Sequence, residues 1–276
     1  MSSSIGRRRW CFVLLFVGAL LVWIRDTSWR ESILDALPLA VGIPLTIWIG
    51  GPWKLRDIRA EGRDFRWLKV AIGLGFVVGW LMPSITLLAL SWSLAAVMFM
   101  HAHYETRINR WGVWMLLLLS FPWLVMEWPG LGWWFRMSAA WATEQFFALM
   151  QMPVSRHGTE LVVLGEVIRI EPGCAGWNLL QLTLLTGLAL GLHDIRAKQK
   201  FVIFVAIMPV LAWTANFLRI VSLTVLCLTY GVKTANGVWH GLTGLFVLLM
   251  TLVIAKLFAN FLGDHSKKSI RKTKVT

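Results

Sequence analysis

The chain predicts an all-α polytopic membrane protein of about eight transmembrane helices, and three observations predict it. Hydrophobic residues make up 57% of the 276 positions and charged ones only 15%, too apolar a balance for an ordinary soluble domain. Uncharged runs recur along the chain and approach the ~20 residues that a helix needs to cross a bilayer. The 27 Lys and Arg stand in short blocks between those runs. The net charge of +13 therefore reads as a topology signal beside a lipid bilayer, and no nucleic-acid partner is expected. The 18 Trp and 23 Gly fit the same solvent, since Trp collects at membrane interfaces and Gly is tolerated in spanning helices.

In order, the expected spans are Trp10–Ile24, Ile33–Gly50, Trp67–Pro83, Ile85–Met100, Trp111–Met126, Cys174–Leu192, Phe201–Leu228 and His240–Leu262. Arg7, Arg8 and Arg9 precede the first run as they would a signal peptide. No small-residue cleavage site follows it, only Trp23, Ile24, Arg25 and Asp26, so a retained anchor is expected. Placing the N-terminus inside and alternating through eight spans puts 19 of the 27 Lys/Arg on the cytoplasmic side and 6 outside. Arg219 and Lys256 fall within spans. This asymmetry predicts both termini in the cytoplasm, with the basic tail 263–276 as an anchor beside anionic lipid. The whole of 1–276 is expected to form one integral membrane domain.

One segment is too long to be a simple loop, the external stretch 127–173. Trp128-Pro129-Gly130 reads as an interfacial break, followed by a small extracytoplasmic helix over Ser138–Met150. Beyond Pro153 the β-formers Leu161, Val163, Val167, Ile168 and Ile170, broken by Gly158 and Gly165, predict a β-hairpin-like cap. Such an element must lie outside the lipid or be shielded by protein. It leads through Glu171-Pro172-Gly173 to Cys174.

Topology then brings polar residues to one membrane level. Cys174 opens the sixth span at its outer end. Arg219 lies ~27 Å above Phe201 along the seventh, near the outer edge of a ~30 Å hydrocarbon core. His240 opens the eighth on that side. Taken singly, Cys174 reads as a small core residue, Arg219 as a side chain snorkelling to headgroups, and His240 as an interfacial residue. Together they offer a nucleophile, an anion-stabilising donor and a proton carrier. A helix N-terminus favours a thiolate, and intramembrane Arg usually faces a polar interior. Asn216 is three residues from Arg219 on the same helical face. Cys11 and Cys227 sit in apolar runs and read as ordinary buried or lipid-facing side chains. HExxH, GxSxG and paired-Cys spacings are missing from the sequence, which weakens the zinc-protease, serine-hydrolase and metal-site readings. No metal or organic cofactor is expected.

At these residues the chain resembles the exosortase/archaeosortase family of membrane cysteine transpeptidases. Cys174-Ala175-Gly176 resembles its Cys-Ser-Gly element, with Ala175 in place of Ser. Asn216-Phe217-Leu218-Arg219 resembles its Asn-x-x-Arg element, and His240 followed by Gly244 its His-x-x-x-Gly. The likeness covers roughly Trp67 to Leu262. It implies catalytic Cys174, Arg219 and His240, supported by Asn216, Gly176 and Gly244, in a bacterial inner-membrane protein whose site faces the periplasm. It also implies membrane-anchored protein substrates with a C-terminal sorting signal, as in PEP-CTERM proteins, an unidentified acceptor nucleophile, and a frequent link to exopolysaccharide production. The rival readings are a transporter or flippase, which would favour midplane polar groups and repeat symmetry, and a scaffold subunit of an envelope polysaccharide system. The topology is checked with reporter fusions: those after Lys69, Lys200 and Lys267 should report cytoplasm and one near Gly158 the outside, whereas an external Lys200 would sink the eight-span arrangement.

Overall fold

The computed structural model describes residues 13–22, 33–55, 66–123, 127–170, 176–231 and 238–263. These residues are mostly helical and fall into two compact units, Met1–Glu127 and Trp128–Thr276.

The first unit contains α1 (Val13–Val22), α2 (Ile33–Gly50), α3 (Arg66–Leu81), α4 (Ile85–His103) and α5 (Arg110–Leu119). Two short strands, β1 (Lys54–Leu55) and β2 (Tyr104–Glu105), pair antiparallel. Helix α4 packs against α3 and α5, and α2 packs against α5. A reciprocal cap fixes the start of α4. The Ser84 hydroxyl accepts from Leu87 N at 3.2 Å and donates to the Glu127 carboxylate at 3.1 Å, which also accepts from Thr86 N at 3.1 Å. A carboxylate at this end offsets the helix dipole as well as filling open donors. The expected fifth span, Trp111–Met126, is shorter as a helix. It ends at Leu119 because Pro122 cannot donate to the helical ladder and turns the residue before it towards extended backbone.

The second unit begins with α6 (Pro129–Leu149) and a sheet of β3 (Val154–His157), β4 (Glu160–Val163) and β5 (Glu166–Arg169). Helices α7 (Trp177–Asp194), α8 (Lys198–Tyr230) and α9 (Val238–Leu262) follow. Two expectations change here. Pro129 starts α6 instead of breaking it, since a proline at the first helical position loses no intrahelical bond. The element expected to be a hairpin is a three-strand antiparallel meander in the order β3-β4-β5. Gly158 (φ +66) and the pair Leu164 (φ +54) and Gly165 (φ +87) each supply the left-handed backbone of a tight two-residue turn, so each glycine reverses the chain once.

Helices α7, α8 and α9 pack against one another in all three combinations. Short connections make consecutive helices antiparallel, and α6 with the sheet leans on α8. Buried side chains form layers along this unit. Ile195, Phe204, Met208, Ala255 and Ala259 fill one end, and Leu179, Ala215 and Val247 follow. Ala140, Phe147, Leu161, Ile168, Ile220 and Leu223 join α6, the sheet and α8 at the other.

The outer surface is apolar too. Leu242, Leu245, Phe246, Leu249, Val253, Leu257 and Phe261 are exposed along α9, a stripe at helical spacing that suits lipid and not water. Among the described residues, α4, α8 and Trp239–Leu262 of α9 are long and apolar enough to cross a membrane.

At the end away from the sheet, Asp194 accepts from Lys256 Nζ at 2.7 Å and lies 2.7 Å from His193 Nδ1. Burial pushes the Asp194 carboxyl up, but the hydrogen bonds with Lys256 and His193 outweigh it and hold the group below the ordinary carboxylate value. A depressed carboxyl adds stability above its unfolded-state value and loses it as pH falls through the folded one. Asp194→Asn should therefore lower the melting temperature at neutral pH, and the gap from wild type should close below about pH 4; a gap independent of pH would assign the loss to packing alone.

Candidate functional site

Helix α8 carries Asn216 and Arg219 three residues apart, so both side chains leave the same face. Both are buried, at 0% and 9% exposure. Arg219 Nη2 lies 3.0 Å from Nε2 of His240, in the first turn of α9. A guanidinium has donors and no acceptor, so this hydrogen bond requires Nε2 to accept and leaves the ring proton on Nδ1. Arg219 Nε has no hydrogen-bond partner among the described residues.

Gly244 is one turn from His240 on the same face of α9. A β-carbon there would lie 3.2 Å from Arg219 Nη2 and 3.3 Å from its Cζ. The missing side chain makes room for the guanidinium beside the imidazole.

The start of α7 meets the other side of this layer. Gly176 is its N-terminal flanking residue, with φ +75. A β-carbon on Gly176 would fall 2.6 Å from Asn216 Cγ. Glycine is thus required twice, by the left-handed backbone and by the approach of the carboxamide. The Asn216 Oδ1 and Nδ2 are both buried without a hydrogen-bond partner among the described residues.

The structure thereby brings together Asn216, Arg219, His240, Gly176 and Gly244. Cys174 and Ala175 lie outside the described residues. Among the described residues, no group of three or more His, Cys, Asp or Glu side chains is placed to hold a metal ion.

Supporting contacts that sequence reasoning missed come from α6. Phe135 stacks on Trp177, with ring centroids 6.1 Å apart and planes at 17°, and a side chain at Gly132 would run into the Trp177 indole. Ser138 Oγ accepts from Trp213 Nε1 at 3.0 Å. These contacts fix the first turn of α7 and the middle of α8 against one helix. The sole signal in the sequence was the density of aromatics around Gly132, which reads equally well as an interfacial belt.

A family model described as transmembrane exosortase (Exosortase_EpsH) matches residues 6–257 of the chain. No curated protein and no solved structure matches it.

The Gly176–Asn216 contact is testable by melting the purified protein. Gly176→Ala should cost about 1–3 kcal/mol, from the strained backbone and the overlap with Asn216. Adding Asn216→Gly should recover the overlap part and leave the backbone part. Full stability of Gly176→Ala alone would contradict the close approach.

Proposed function

The chain belongs to the transmembrane exosortase family, and from that premise we propose that it is a membrane cysteine peptidase or transpeptidase with Cys174, Arg219 and His240 as its catalytic residues. Its substrates are secreted proteins held in the membrane by a C-terminal sorting signal, cut at the outer face of the bacterial cytoplasmic membrane. In this reading the protein crosses the bilayer eight times with both termini inside.

The observation that carries the proposal is the contact of the buried Arg219 with the half-buried His240 at 3.0 Å, in the layer where α7 begins. Cys174 stands two residues before Gly176, and two extended residues span about 7 Å. Gly176 in turn touches the helix face that bears Arg219.

The chemistry is acyl transfer. The Cys174 thiol loses its proton to His240 Nε2, and the sulfur bonds to the substrate carbonyl carbon. The oxygen takes the negative charge and Arg219 stabilises it, with Nε–H as a donor still open among the described residues. Since Nη2 occupies the Nε2 lone pair in the resting pair, the guanidinium must shift towards the oxyanion as the imidazole takes the proton. The carbon–nitrogen bond then breaks and His240 returns the proton to the leaving amine. The acyl carbon then bonds to an acceptor nucleophile, or to water, whose proton goes to His240; the carbon–sulfur bond breaks and His240 returns that proton to the Cys174 sulfur. Asn216, buried between Gly176 and Arg219, holds the two walls of this layer at a fixed spacing.

Immunoblots of sorting-signal proteins in the producing strain test the reading. Cys174→Ala should abolish processing while the protein still inserts. Arg219→Lys should lose about a hundredfold or more, because an ammonium does not reproduce the guanidinium fork and an oxyanion donor is worth roughly that factor. Near-normal processing by Cys174→Ala in cells lacking a related enzyme would rule out covalent thiol catalysis.

A further inference from the structure

We infer that the outer edge of β5 binds the substrate as an added strand, pairing the backbone of Val167 and Arg169 with an extended peptide just outside the substrate's membrane helix. The inference rests on the peptidase reading above and names where its substrate docks.

The direction of each backbone group follows from two hydrogen bonds at the ends of the ladders. Ile170 N donates to Thr159 O at 3.1 Å. Hydrogen-bonded and non-hydrogen-bonded pairs alternate in an antiparallel ladder. Counting from Thr159–Ile170, the pairs Leu161–Ile168 and Val163–Glu166 exchange hydrogen bonds, while Glu160–Arg169 and Val162–Val167 do not. The N–H and C=O of Val167 and Arg169 therefore point away from β4. The other side of the sheet agrees. Leu164 N donates to Pro153 O at 3.0 Å, and alternation from there aims the backbone groups of Leu161 and Val163 at β5.

Strand β5 is last in the sheet, so nothing pairs with those outward groups among the described residues. Proteins usually blunt such an edge with charged side chains, proline, a bulge or a covering segment; β5 carries Glu166 and Arg169, and the Arg169 guanidinium is turned to Glu160 of β4 at 2.8 Å. Neither a proline nor a bulge interrupts Glu166–Arg169, and Val167 is 51% exposed.

The edge is also tied to the site. Ile168 and Ile170 share a buried cluster with Ile220 and Leu223 of α8, the first of which directly follows Arg219. Chain leaving Ile170 reaches Cys174 four residues later. An edge strand repeats its donor and acceptor every two residues, about 6.8 Å. A second extended backbone matches that repeat; a lipid headgroup or a glycan does not. Strand addition supplies affinity through the main chain and leaves alternate side chains to set selectivity.

The test uses wild-type, full-length protein in nanodiscs. Its probes are synthetic peptides copied from the juxtamembrane segment of any protein that accumulates unprocessed in a Cys174→Ala strain, each N-methylated at one backbone position. Methylation at alternate positions should raise KM about three- to tenfold, the worth of one backbone hydrogen bond, with kcat little changed and the intervening positions silent. Val167→Pro removes one outward N–H and spares the ladder to β4, so it should raise KM for the unmethylated peptide by a similar factor. A flat methylation profile, a uniform loss at every position, or an unchanged KM in Val167→Pro overturns the inference and leaves the peptidase reading standing. A Cys174→Ala strain with no unprocessed protein overturns both.

Discussion

A guanidinium inside a helical bundle must keep its charge and find acceptors there, because burial without partners is among the most expensive things a fold can hold. Arg219, only 9% exposed, finds an acceptor among the described residues in Nε2 of His240 at 3.0 Å. Much of the second unit follows from that choice. Helix α9 must present His240 and a residue without a side chain one turn later. Helix α8 must place Asn216 one turn before Arg219, and α7 must begin on a glycine so that the carboxamide can close against it. An imidazole acceptor carries no negative charge, so this contact does not itself neutralise the guanidinium.

Among the described residues, the contacts that join charged or imidazole side chains of α7, α8 and α9 lie at two ends. His240 and Lys256 are sixteen residues apart on α9, about 24 Å along a helix axis. One end holds the Arg219–His240 pair and the other the Asp194–Lys256 clip. Between them lie apolar layers inside, and an apolar stripe faces outward along α9. In lipid the hydrophobic effect does not drive helices together, so close packing and a few satisfied polar contacts must. Small residues serve the first need in Ala212, Ala255 and Ala259, all buried. The two polar ends serve the second, and they also fix the vertical register of α7, α8 and α9.

Much of this was legible beforehand, and the misses have local causes. Apolar run length marked α2, α3, α4, α8 and α9 to within a few residues, because in a bilayer the backbone must satisfy itself and a helix is the available answer. Pro129 misled because proline signals both a break and a first turn, and only the neighbouring packing of Phe135 on Trp177 tells them apart. Pro122 did the reverse, ending α5 inside an apolar run. The strands after Pro153 were legible as β-formers, but each glycine was read as an interruption when each was a reversal.

By itself the sequence determined the membrane as solvent, the grouping of basic residues between apolar runs, and the heights along their helices at which Arg219 and His240 stand. These are properties of composition and of one-dimensional length, which add along the chain whatever the helices pack against. Only tertiary structure decided that Arg219 Nη2 meets His240 Nε2, that Gly244 lies under the guanidinium and Gly176 against Asn216, and that β5 ends the sheet with its outer edge unpaired among the described residues. Level says how far along a helix a residue stands. Contact depends on how each helix is rotated about its own axis, and that rotation is set by the side chains of its neighbours, which no periodicity within one segment records.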